Sequence, residues 1–215
     1  MIAEINGTKK EYPEGTRLLE IAAEYQPLEK HDIVLAIQDG KLRELYHKVK
    51  KDCRLSFVTT AEKAGMDAYR RSCVLLMLKA MYDVAGQDRL EKVFVDHSLS
   101  KGYYGEITGK QQVTEEFLAQ VEERMREMAR EDLPIEKYSV HTDTAVEHFE
   151  RHRMYDKARL FRYRRSSRVN MYRLREFEDY YYGYMVPSSG YLKYFRLYPY
   201  ERGFVLQLPV EEAPE

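Results

Sequence analysis

Tryptophan is absent from the 215 residues, and cysteine occurs only at Cys53 and Cys73. Two cysteines make no disulfide scaffold, so a hydrophobic core must hold the fold, and a reducing, cytoplasmic location is expected. The opening Met1-Ile2-Ala3-Glu4 has neither the basic nor the apolar region of a secretory signal. No apolar run reaches bilayer length, because the densest one, Val74–Leu78, is cut by Lys79. No membrane partner is therefore expected. The chain also lacks a Gly-x-x-x-x-Gly-Lys-Ser/Thr loop, a Ser-based elbow, a Cys-x-x-Cys pair and a dinucleotide fingerprint. Charge of one sign is missing too: 35 basic residues face 36 acidic ones, so whole-chain charge selects no partner.

What is present is apolar mass, 44% of the chain, and nineteen tyrosines, which combine apolar bodies with hydroxyl tips. That composition specifies a folded protein with room for one or two cores. Ala3 to Lys10 alternates around Asn6-Gly7, a hairpin turn. Thr16 is the expected N-cap of a helix with Leu18, Leu19, Ala22 and Ala23 on one side. Strands are expected over His31 to Ile37, over Lys41 to Tyr46 and through Leu55, Phe57 and Val58. Two strands, a helix and three more strands within residues 1–60 make a ubiquitin-like β-grasp.

From residue 61 a short polar connection leads to a helix opening near Asp67, with Cys73, Leu76, Met77, Ala80 and Met81 on its buried stripe. A buried, structural role is expected for Cys73. Leu90 to Val95 reads as a strand, Asp96 to Ser100 as a polar turn, and residues 102–107 as a glycine-flexed strand. Thr114 caps a helix that buries Phe117, Leu118, Val121, Met125 and Met128. A strand over Ile135 to His141, helices after Thr142 and from Met154, a strand over Val169 to Phe177 and a hairpin of Leu192 to Leu197 with Phe204 to Leu208 follow. Residues 61–209 thus form a second, α+β domain, and 210–215 a tail or linker.

The candidate chemistry is sparse. His148 and His152 are one helical turn apart, but no third ligand is marked, and packed or exposed histidines are the expectation. Asp96 and His97 suggest an acid/base pair, yet neighbours on a strand point to opposite faces. Residues 151–175 hold ten Lys or Arg and one acid, with Tyr155, Tyr163 and Tyr172 interleaved. Arginine clamps phosphate and tyrosine stacks on bases, so Arg162, Arg164, Arg165 and Arg168 are candidates for RNA, nucleotide or phosphate binding. Residues 115–136, with eight acids and three bases, offer the alternative that the two stretches neutralise each other.

Several motifs carry a family resemblance. Pro13-Glu14-Gly15-Thr16 and Val34-Leu35-Ala36, followed by Asp39-Gly40-Lys41-Leu42, resemble a TGS domain, a small binding or regulatory module. From residue 67 to about 198 the chain resembles the editing-like second domain of threonyl-tRNA synthetases and alanyl-related editing proteins. The resemblance rests on Arg70-Arg71-Ser72-Cys73-Val74-Leu75, on Gly102-Tyr103-Tyr104, and on residues 179–190 followed by Lys193-Tyr194-Phe195-Arg196-Leu197. It implies an α+β chain in which a TGS β-grasp precedes an editing-like domain.

The resemblance also marks what is missing. The family's two helix histidines fall on Arg71 and Leu75, and its late cysteine and histidine fall on Tyr181 and Met185. These are degenerate editing positions: no catalytic residue and no metal ligand is expected there. Tyr103, Tyr104, Tyr181 and Tyr184 are candidates for a retained pocket. The same two modules resemble the N-terminal half of a bacterial uridine-kinase-like nucleoside kinase, which implies a downstream P-loop domain using ATP and Mg. The expectation is a noncatalytic regulatory or positioning region of such a kinase. The alternatives are a freestanding RNA- or tRNA-binding protein and an unconventional aminoacyl-tRNA deacylase, so whether the parent is an enzyme stays open.

Overall fold

The computed structural model describes residues 1–151, 155–163 and 167–214. Two compact units divide the chain: Met1–Pro134 with Tyr184–Glu215, and Ile135–Gly183.

In the first unit, β1 (Ile2–Ile5) and β2 (Thr8–Glu11) form a hairpin turned by Asn6 and Gly7, at φ 51° and 77°. Both residues sit in the left-handed region that a two-residue hairpin turn demands. Helix α1 (Leu18–Tyr25) buries Leu18, Ile21 and Ala22. Arg17, not Thr16, is its N-cap, because the Thr16 hydroxyl is spent on the Pro13 carbonyl at 2.8 Å. Ile21 carries the face in place of Ala23, since positions 18, 21, 22 and 25 share one side of a 3.6-residue turn.

Strands β3 (Ile33–Gln38), β4 (Lys41–Glu44) and β5 (Cys53–Thr59) complete a sheet of order β2-β1-β5-β3-β4. The β1–β5 pair is parallel and the others are antiparallel. Ile5, Leu18, Ile21, Ile33, Leu45, Val49 and Leu55 fill its core.

Helix α2 runs Lys63–Ala85, beginning four residues before the expected Asp67. Glu62 anchors the start by accepting from the Thr59 amide at 2.9 Å. Fifteen of its residues are buried, so α2 is a central helix buried on more than one face. It packs against β3, β5, the next strand and the next helix. Cys73 is fully buried, which pushes its thiol above the ordinary range and leaves it a small apolar filler.

Strand β6 (Leu90–Leu99) pairs with β7 (Gly102–Gly109). Of the turn expected over Asp96 to Ser100, the part through Leu99 is strand instead; the chain reverses at Ser100, with φ 52°. Helix α3 (Glu115–Glu131) is capped as expected: Thr114 Oγ1 accepts from the Phe117 amide at 3.1 Å, and the five expected side chains are buried.

The second unit holds β8 (Glu136–His141), α4 (Thr142–Arg151), α5 (Tyr155–Arg162), β9 (Arg168–Leu174) and β10 (Phe177–Tyr180). Its antiparallel sheet has the order β10-β9-β8. The single strand expected over Val169 to Phe177 is two, folded back at Arg175 with φ 55°. Phe149, Phe161, Val169 and Met171 form its core with Ala145, Val146 and Ala158.

The first unit resumes with β11 (Arg196–Tyr200) and β12 (Gly203–Gln207), which complete a sheet of order β11-β12-β7-β6. The expected strand from Leu192 starts later because Ser189–Tyr191 forms a 3-10 turn. Among the described residues, no helix is long and apolar enough to cross a membrane.

Candidate functional site

Helix α2 carries Arg71, Ser72 and Leu75, and the chain after Gly183 brings Tyr184, Met185 and Val186 against them. The Arg71 guanidinium donates to the Tyr184 carbonyl at 2.6 Å. The Ser72 hydroxyl donates to the Ala68 carbonyl (2.7 Å), accepts from the Val186 amide (3.0 Å) and lies 3.2 Å from Met185 Sδ. The Met185 amide donates to Glu44 Oε1 at 3.0 Å, while Leu75 and Met185 are buried. Arg71 and Ser72 of α2, with Glu44 of β4, thus hold the 184–186 backbone in place.

This arrangement has little chemical capacity. Leu75 has no donor atom, Arg71 has only N–H donors, and the Met185 thioether is a poor ligand for a borderline cation such as zinc. Ser72 cannot serve as a nucleophile while buried, with its proton on a helix carbonyl and no base beside it. Among the described residues, no group of three or more His, Cys, Asp or Glu is placed to hold a metal. The residues present do not fit the metal or deacylation chemistry that the family's polar positions imply.

Tyr181 belongs to the second unit. Burial, with the Asp179 charge adding to it, pushes its phenol well above the ordinary value. Its hydroxyl is buried and meets no hydrogen-bond partner among the described residues. Its ring stands edge-on to Tyr172, whose hydroxyl donates to the Gly183 carbonyl at 2.7 Å.

Tyr103 and Tyr104 are neighbours on β7, so strand alternation sends them to opposite faces. Tyr103 lies beneath the Arg70 guanidinium, 5.4 Å from its ring centre. Tyr104 donates to Glu106 at 2.7 Å, and that bond pushes its phenol up to about 12.

Asp96 and His97 do meet, with Nδ1 and a carboxylate oxygen 2.9 Å apart. A register shift explains it: Val95 pairs with Gly105 and His97 with Tyr104, leaving Asp96 as the extra residue of a bulge. The pair is exposed on a sheet face, where it builds no enclosed site.

The basic stretch is partly spent. Arg162 pairs with Glu150, Arg173 with Glu136 at 2.5 Å, and Arg168 donates to the Ser139 carbonyl at 2.7 Å. Arg164, Arg165 and His152, with the side chain of His148, lie outside the described residues. Arg159, Tyr155 and Tyr163 are exposed. The acids of α3 meet arginines of the same helix: Glu127 with Arg124, Glu122 with Arg126, and Glu123 with Arg130.

The sequence reading missed the work of Ser188, Ser189 and Asp132. Ser189 donates to the Met128 carbonyl (2.6 Å) and accepts from the Leu133 amide (2.7 Å), closing the C-terminal end of α3. Asp132 accepts from the Ser188 hydroxyl and from the Gly190 amide. A β-carbon at Gly190 would fall 2.2 Å from Asp132 Oδ1, so the motif needs glycine there. The available signal was two adjacent serines beside a glycine in an otherwise apolar segment.

No family model matches the chain. It is similar to the threonine–tRNA ligase of Thermotoga neapolitana, with 31% identity over 195 residues, 89% of this chain and 29% of the ligase. The enzymes of Carboxydothermus hydrogenoformans and a Polaromonas species are 29% and 30% identical over 193 residues, again 89% of this chain and 30% of theirs. The chain is homologous to a region of threonyl-tRNA synthetases, and it spans less than a third of the length of these relatives. The fold is the α+β class expected, with the five-stranded grasp sheet at the start and helices and two further sheets after it.

Proposed function

We propose that this chain is a noncatalytic positioning or regulatory region built on an editing-type scaffold. The observation that supports it is the fate of the inherited polar positions: Arg71 holds the Tyr184 carbonyl, and Leu75 and Met185 are buried packing. The domain division proposed is a TGS-like β-grasp over 1–60, the editing-like region over 61–209 and a tail beyond. A uridine-kinase-like parent is the finer form of the proposal. ATP and Mg would then be bound by a P-loop domain downstream, since these residues contain no such loop. Reading the natural gene past the codon for Glu215 tests that form. A P-loop sequence there supports the kinase parent, and a stop codon rejects it.

Binding of tRNA is the second reading, and the similarity to threonine–tRNA ligases favours it. Arg159, Tyr155 and Tyr163 supply exposed charge and ring faces of the kind that hold phosphate and base. Labelled tRNA titrated at several salt concentrations tests it, with wild type set against Arg164→Ala/Arg165→Ala. Two lost phosphate contacts should weaken binding and make the log–log salt slope shallower by roughly 2. Equal affinities without salt dependence would remove this reading.

A further inference from the structure

Away from that scaffold, the end of β3, the edge strand β4 and the loop 45–52 surround an open recess of about 720 Å³. Lys41, Arg43, Lys48, Lys50 and Lys51 line it, with Asp39 the one carboxylate of the lining. None of these five cations meets a carboxylate partner among the described residues. Elsewhere the same unit pairs its bases, as in Lys10–Glu24, Lys63–Asp67 and Arg126–Glu122. In a chain of net charge -1, five unneutralised cations around one hollow make a local positive field.

The recess is also held in shape. Leu45 and Val49 are buried in the grasp core. Val49 donates to the Thr16 carbonyl (2.9 Å) and accepts from the Gly15 amide (2.7 Å), while the His47 carbonyl accepts from the Leu18 amide (2.9 Å). The loop backbone is therefore fixed, with Lys48 and Lys50 exposed on either side of the buried Val49. Two lining residues carry a buried polar atom without a hydrogen-bond partner among the described residues: Arg43 Nε and Gln38 Oε1. Burial, then the charges of Arg43 and Lys50, hold His47 below its ordinary pKa, as expected inside a positive field.

We infer that this recess binds a compact polyphosphate, such as the di- or triphosphate of a free nucleotide. Its volume falls within the few hundred to about 1,000 Å³ typical of small-molecule sites. A strand of RNA would instead call for cations spread along a groove with stacking rings. The site is independent of the tRNA reading, because it shares no residue with the 151–175 stretch.

Calorimetric titration of the whole chain tests it, using inorganic tripolyphosphate, ATP and a 12-nucleotide RNA at low and at physiological salt. Tripolyphosphate and ATP should each bind one per chain. Lys50→Ala/Lys51→Ala should weaken both by about tenfold, the loss of two charge-assisted contacts. The exposed pair Lys101→Ala/Lys110→Ala, which removes the same charge elsewhere, should not. Tighter binding of ATP than of tripolyphosphate would identify a nucleotide ligand; equal binding would identify the phosphates alone. No saturable binding of either anion, equal losses in both double variants, or RNA binding that Lys50→Ala/Lys51→Ala weakens more than it weakens tripolyphosphate binding would each overturn the inference.

Discussion

Phe149→Ala should cost about 3–5 kcal/mol, the usual range for emptying a large aromatic site in a core. Here the cost falls on Ile135–Gly183, a unit with one small core. Phe149 is fully buried, its ring centre 5.2 Å from that of Phe161, which in turn stands edge-on to Tyr180 at 4.6 Å. The remaining core residues are alanines, valines and one methionine, too short to close over the gap. A penalty of that size is comparable to the whole stability of a small domain, so β8 and β9 should lose their order. Amide exchange reads this directly. Protection should collapse across β8 and β9 and persist in β5, whose Cys53 and Leu55 belong to the core of the five-stranded sheet. Unchanged protection in β8 and β9 would contradict the packing described.

Gly65→Ala should destabilise the first unit by about 3 kcal/mol, at the upper end of ordinary overpacking. Helix propensity alone predicts the opposite sign, a gain of about 1 kcal/mol. Geometry decides between them. A β-carbon on Gly65 would lie 2.0 Å from the Thr59 carbonyl oxygen and 3.0 Å from Val34 Cγ2. Thr59 cannot yield easily, because it ends β5 opposite Ile33 and its amide is held by Glu62. Nor can α2 retreat, since it is packed on several sides. In a chain of this length the midpoint of thermal unfolding should fall by about 6–12 °C. A rise in the midpoint would show that helix propensity outweighs the contact.

These two positions also show what could be read from the residues alone. Helix α3 was legible because its apolar positions recur at helical spacing beside a threonine cap and charged outer faces. Helix α2 was legible as a helix but not at its start, because a helix buried on several sides carries no polar stripe to mark where it begins. The turn between β9 and β10 was hidden because Arg175 and Glu176 make it without glycine, asparagine or proline. The meeting of Asp96 with His97 was hidden for another reason: alternation forbids it, and only the bulge at Asp96 permits it. The resemblance put the editing positions at Arg71, Leu75, Tyr181 and Met185. What those side chains touch was not legible, since Arg71 reaches a backbone carbonyl 113 positions away, and no local pattern encodes that.

On the proposed reading, the scaffold has kept its shape and lost its inherited chemistry. Incubating the purified chain with a panel of mischarged tRNAs, with and without added zinc, tests it most directly. The account predicts release of amino acid at the protein-free rate in every case. Hydrolysis that rises in proportion to protein concentration, with or without zinc, would contradict it.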